Sequence, residues 1–104
     1  MDRLTQLLAF YEEDPNEPFN IYALAMEYYR NNPSKALIYL ELLVNKFPDY
    51  IATYYQLAHL YIDLDETQKA DLVFNEGIKQ CKIQNKKHAL GELERAYKNF
   101  LFEN

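Results

Sequence analysis

The sequence predicts an all-α fold in which about six helices stack as antiparallel helix pairs into a solenoid, an α-α superhelix. Three observations carry that expectation. The four prolines, Pro15, Pro18, Pro33 and Pro48, all fall between apolar-periodic segments, where a ring that fixes φ and lacks an N–H is tolerated. Alternating strand-type runs with Asn-Gly or Asp-Gly turns are absent, which leaves a sheet without support. Finally, "YYQLAHLYIDLDETQKADLVFNEG", residues 54–77, repeats an order of residue types met 33 or 34 residues earlier. A period of that size divided between two helices is the mark of a helical solenoid.

The first helix is expected from about Arg3 to Glu12, with Leu4, Leu7, Leu8 and Tyr11 on one stripe. A second runs from Pro18 to Asn31. The third runs from Pro33 to Lys46, with Asn32 as N-cap and proline at the favoured first helical position. The fourth starts after Asp49 and ends near Asp63. Asp65 opens the fifth, with Gln68 three residues on as a near capping box, and that helix runs to about Lys82. Asn85 caps a sixth that ends near Phe102 and carries Leu90, Leu93, Tyr97, Phe100 and Leu101 on one stripe. Phe100, Leu101 and Phe102 in succession cannot all face one core. Links of a few residues make successive helices antiparallel neighbours.

Leu24, Ala25 and Tyr28 recur as Leu57, Ala58 and Tyr61 at a step of 33, and Ala36, Leu40 and Leu43 as Ala70, Phe74 and Gly77 at a step of 34. On a helix turning about 100° per residue, Ile21, Leu24, Ala25 and Tyr28 share a face, as do Tyr54, Leu57, Ala58 and Tyr61. Alanine beside leucine leaves a notch that a partner helix enters if it brings its own small residue. Ala36 and Ala70 are the expected partners, with Leu40 and Phe74 filling the space one turn later.

These residues resemble the tetratricopeptide repeat family. The second copy is the closer match, with Tyr54 where the family favours tryptophan, then Leu57, Ala58, Tyr61, Ala70, Phe74 and Gly77 in order. It departs at Lys82, where proline is usual, so the fifth helix is expected to run on. The first copy is looser, with Ile21 at the aromatic position and a one-residue deletion in its "NNPSK" turn. Asp14 and Pro15 resemble the pair that closes a repeat. The expected organisation is one domain over 1–104: an N-terminal half-repeat helix (1–15), repeats at 16–48 and 49–82, and a C-terminal capping helix (85–104).

Composition narrows the function. With 49% hydrophobic and 26% charged residues, the chain is neither disordered by composition nor membrane-spanning. A start without a secretory cleavage pattern makes a soluble, unexported, cytoplasmic protein the default. The net charge of −5 opposes attraction to nucleic acid or an anionic membrane. Cys81 is the single cysteine, which excludes an internal disulfide and reads as a buried spacer. No catalytic arrangement, phosphate-cradling loop, cofactor motif or metal-ligand spacing is present, so no enzyme is expected. The acids of "DLDE", residues 63–66, lack the glycine and alternating oxygen ligands of a calcium loop.

A second face remains on the first helix of each repeat. Tyr22, Met26 and Tyr29 occupy it in one copy, and Tyr55, His59 and Ile62 in the other, at i, i+4 and i+7. Resemblance to the family places this face on the concave side, where peptides bind, with Arg30 and Asp63 at its rim. Family members that hold the anionic tail of heat-shock chaperones use lysine and asparagine there. Tyr22, Met26, Gln56, His59 and Asp63 supply no such cationic clamp, so a hydrophobic or mildly basic segment of another protein is the expected partner. A structural role, with the same stripe pairing copies of the chain into a homodimer or larger assembly, is the alternative.

Overall fold

The computed structural model describes residues 2–104, so residue 1 of the expected 1–15 segment lies outside them. Among the described residues are six helices and no strand: α1 (Arg3–Glu13), α2 (Pro18–Tyr28), α3 (Pro33–Lys46), α4 (Ala52–Asp63), α5 (Thr67–Gln84) and α6 (Lys87–Glu103). They fall into two compact units, Met1–Tyr50 with α1 to α3 and Ile51–Asn104 with α4 to α6.

In the first unit each helix start has a chemical cause. The Asp2 carboxylate accepts from the Thr5 N–H at 2.8 Å, which satisfies an orphan donor and lowers the Asp2 carboxyl below its ordinary value. Glu17 accepts from Phe19 and Asn32 from Lys35, each just ahead of a proline at the first helical position. The α1 end is closed by Asn20, whose amide donates to the carbonyls of Phe10 and Asp14 at 3.2 and 3.1 Å. α2 stops at Tyr28, three residues before the expected Asn31, and residues 29–31 form the turn into α3.

Ile21, Leu24, Ala25, Ala36, Leu40 and Leu43 are fully buried where α2 packs on α3. The notch residues Ala25 and Ala36 are both on the inside. α1 packs on α2 but has no buried residue of its own; Leu4, Leu7 and Tyr11 are only half-buried. Tyr39 of α3 joins the three helices, edge-on to Tyr11 and stacked on Tyr28, both with centroids at 5.9 Å. Burial there raises the Tyr39 phenol above its ordinary value, and Tyr28 and Tyr11 add to the shift.

The second unit corrects two expectations. Asp65 does not cap α5; it adopts a left-handed φ of 59° after α4. The Glu66 N–H donates to the Tyr61 carbonyl at 2.8 Å and the Asp65 N–H to Ile62 at 3.0 Å, which together make a Schellman ending. α5 therefore starts at Thr67, without a side-chain cap bond and without the expected box. Asn85 likewise does not cap α6. It sits at φ 58° as the left-handed residue ending α5, with the Lys86 N–H donating to the Cys81 carbonyl at 2.9 Å. Aspartate and asparagine tolerate this region better than other non-glycine residues. With no proline stop at Lys82, α5 runs on through Gln84.

Tyr54, Leu57, Ala58, Ala70, Phe74 and Cys81 form the centre of this unit, joined from α6 by Leu93 and Phe100. Phe74 stands within ring-contact distance of Tyr97 (5.4 Å), Phe100 (5.5 Å) and His59 (6.1 Å). The Tyr97 hydroxyl donates to Asp71 at 2.7 Å and accepts from Asn75 at 3.2 Å, tying α6 to α5. The Asp71 bond pushes the Tyr97 phenol up, while Asn75 opposes it. Of the three successive apolar residues at the C-terminal end, Phe100 is buried, Leu101 is exposed and Phe102 is 92% exposed.

Thr53 is a local flaw in this core. It is fully buried and its Oγ1 has no hydrogen-bond partner. Burying a hydroxyl unpaired costs about 1–3 kcal/mol, so the near-isosteric Thr53→Val should stabilise the protein by roughly 1 kcal/mol. A urea titration followed by circular dichroism checks it, and a lower midpoint would contradict the assignment.

Candidate functional site

The sequence-selected side chains are sorted by where α2 and α4 place them. In the first unit Tyr22 and Met26, a turn apart on α2, line a cleft of 310 Å³ together with Arg3, Phe19, Ala23 and Glu27. Its edge is set by an ion pair, with Arg3 Nε donating to Glu27 Oε1 at 2.8 Å. Tyr22 also meets Tyr50, centroid to centroid at 5.8 Å. Burial raises the Tyr50 phenol, with smaller contributions from Tyr22 and Glu17. Tyr29 and Arg30 do not line this cleft, because α2 ends at Tyr28 and the chain turns away there.

In the second unit Tyr55, His59 and Ile62 of α4 line one wall of a 410 Å³ cleft. Glu92, Arg95, Ala96, Asn99, Phe100 and Glu103 of α6 supply the opposite wall. Tyr55 remains 39% exposed, and its ring stacks on His59 at 4.2 Å. His59 Nδ1 lies 2.8 Å from the Tyr55 carbonyl oxygen. A carbonyl can only accept, so Nδ1 carries a proton and a neutral ring keeps Nε2 as an acceptor. Asp63, the last residue of α4, is exposed and lies outside the cleft.

The sequence reading missed the α6 wall. Its residues do recur at helical spacing, from Glu92 through Arg95, Ala96 and Asn99 to Glu103, but their mixed polarity gives no apolar stripe to detect. Phe19 and Ala23 were missed as well, although they lie at i−3 and i+1 from Tyr22.

Both clefts are lined by aromatic and apolar side chains with a few charged and hydrogen-bonding groups among them. Among the described residues no group of three or more His, Cys, Asp or Glu side chains is placed to hold a metal ion. No helix among them is long and apolar enough to cross a membrane. Aromatic rings, a methionine, an isoleucine and a few hydrogen-bonding groups are the material of protein interfaces.

Comparisons with known proteins agree with the fold. A solution NMR structure of a tetratricopeptide repeat domain protein from Salinibacter ruber is similar at 40% identity and a TM-score of 0.79, over 84% of this chain and 89% of that one. A crystal structure of a tetratricopeptide repeat domain protein from the same organism gives 37% identity and a TM-score of 0.81, over 86% of this chain and 100% of that one. No protein-family model matches, and neither does any curated protein.

Proposed function

We propose that this chain, which belongs to the tetratricopeptide repeat family, is a non-enzymatic protein-interaction module whose contact surfaces are the aromatic clefts of its two units. Stacked helix pairs of this kind present fixed side-chain surfaces to partners. The observation that carries the reading is the convergence of Tyr55, His59 and Ile62 with α6 on one open cleft, outside the buried core. Tyr22 and Met26 provide a smaller site of the same character in the first unit.

The partner offers apolar side chains and at most modest positive charge. In the first cleft Arg3 and Glu27 neutralise each other, and in the second Glu92 and Glu103 outnumber Arg95 by one charge. Tyr55 supplies a large, stiff contact area, and the Nε2 acceptor of His59 supplies a polar handle. A bound segment would order few side chains of the module itself, since the Tyr55–His59 stack is already formed.

Affinity capture from the native cell extract, run with the unaltered chain, Tyr22→Ala and Tyr55→Ala, tests the proposal. A tyrosine at the centre of an interface contributes about 2 kcal/mol or more, so each variant should weaken capture of the same protein by roughly 30-fold. Both residues lie outside the core, so circular dichroism should show an intact helical fold. Capture undiminished in both variants would move the partner site away from these clefts.

A further inference from the structure

The charge of the chain is sharply divided. Residues 1–27 hold six acids against Arg3 alone, while the remaining 77 residues hold ten acids and ten bases. The whole net charge of −5 therefore arises in the first quarter of the chain. Between Gly77 and Gly91 the balance reverses locally, with Lys79, Lys82, Lys86 and Lys87 and no acid.

Each set stands partly where its own helix disfavours it. Glu12, Glu13 and Asp14 crowd the C-terminal end of α1, whose exposed carbonyls favour cations. Lys86 and Lys87 stand at the N-terminal end of α6, whose free N–H groups favour anions, and Lys86 makes no side-chain cap bond. All five side chains are exposed. A local electrostatic misfit at exposed helix ends points to a counter-charge beyond the helices themselves.

Apolar residues accompany both. Phe10 is 54% exposed and shares a helical face with Glu13 and Asp14 at i, i+3 and i+4. Ile83 is 66% exposed on α5, one residue after Lys82 and a turn beyond Lys79. The two surfaces match in kind, a large apolar side chain flanked by charges of a single sign, and they are opposite in that sign.

We propose that a second copy of this chain docks the lysine-rich end of α5 and start of α6 against the acidic end of α1, with Ile83 and Phe10 in the contact. Each charge set corrects the other, and both helix ends gain the counter-charge they lack. Two copies close the contact about a two-fold axis when each makes both contacts reciprocally; otherwise the contact is heterologous and continues from copy to copy. Attraction of this kind is screened by salt. The contact avoids Tyr22 and Tyr55, so it stands or falls separately from the clefts.

Light scattering of the full chain across a concentration series tests the proposal. At low ionic strength the mass should climb above the 12.4 kDa of one chain as concentration rises, and it should return to that value in high salt. The double variant Glu12→Lys with Glu13→Lys and the triple variant Lys82→Glu, Lys86→Glu and Lys87→Glu should each lose self-association. Mixed in equal amounts, the two should associate again, since one carries basic surfaces and the other acidic ones. The double variant should also melt at a higher temperature than the unaltered chain, because its helix end is no longer mismatched, and this shows that it is folded. A chain that stays monomeric at low salt, an association indifferent to salt, or reversed variants that associate alone but not with each other would each overturn the proposal. Tyr55→Ala should leave the salt-dependent association unchanged; its loss there would instead assign the contact to the aromatic cleft.

Discussion

Phe74→Ala should cost the protein about 3–5 kcal/mol, the range for emptying a buried aromatic site. Phe74 is fully buried and contacts rings from both neighbours of α5: His59 on α4, and Tyr97 and Phe100 on α6. Removing it strips three aromatic contacts at once and leaves a void bordered by stiff rings that cannot collapse into it without leaving their rotamers. Domains of this size have a total stability of about 5–15 kcal/mol, so much of the margin would be gone. Urea unfolding followed by circular dichroism should show the midpoint falling steeply. The same change should loosen the cleft, because His59 and Phe100, which line it, both lean on Phe74. A loss under about 1 kcal/mol would mean that the rings close over the gap and that the unit is far softer than its packing implies.

Gly77→Ala should destabilise the protein by about 1–3 kcal/mol, against the usual direction. In a helix interior alanine is better than glycine by about 1 kcal/mol. At Gly77, however, a Cβ would come within 2.6 Å of Tyr54 Cβ and 2.9 Å of its Cγ, and 3.1 Å from Leu93 Cδ1. Tyr54 Cβ is one bond from the backbone and cannot swing aside, so α4 would have to back away from α5. The chain has a built-in control in its other glycine. At Gly91 the nearest atom to an added Cβ is the mobile Arg95 Nη1 at 3.8 Å, so Gly91→Ala should stabilise by about 0.5–1 kcal/mol. Parallel thermal melts should move the two variants in opposite directions. If both rise, the close approach of α4 and α5 is wrong.

Much of this architecture was legible because prolines and alanines have narrow uses. Pro33 and Asn32 together define the start of α3, and Pro18 the start of α2, since a proline ring fits a first helical turn and little else nearby. The recurrence of Ala25 and Ala36 as Ala58 and Ala70 identified the close-packed helix pairs, and all four are buried. Asp65 and Asn85 were misread for a physical reason. The side chains that accept from a helix start are also those that tolerate a left-handed backbone, and here the ending helix claims the residue before the next one begins. On α4 the i, i+4 and i+7 spacing of Tyr55, His59 and Ile62 falls on one cleft wall, whereas on α2 only Tyr22 and Met26 share a cleft and Tyr29 lies outside it. Sequence spacing missed the α6 wall, where a mixture of glutamate, arginine, alanine and asparagine looks like any solvated helix face. Arg30, expected at the rim, falls in the turn after α2, and Asp63 ends α4 outside the cleft lining.

α1 contributes no buried side chain and is held by half-buried leucines, one tyrosine contact, the Asn20 amide on the Phe10 and Asp14 carbonyls, and an ion pair largely open to water. Its attachment therefore has a far lower opening free energy than the α2–α3 core beneath it. Amide protons along α1 will exchange with solvent through brief local detachments that leave the rest of the unit folded. Each detachment carries Arg3 away from Glu27 and removes one edge of the cleft at Tyr22 and Met26. The smaller of the two clefts is thus a breathing one, sized by the momentary position of a single loosely moored helix.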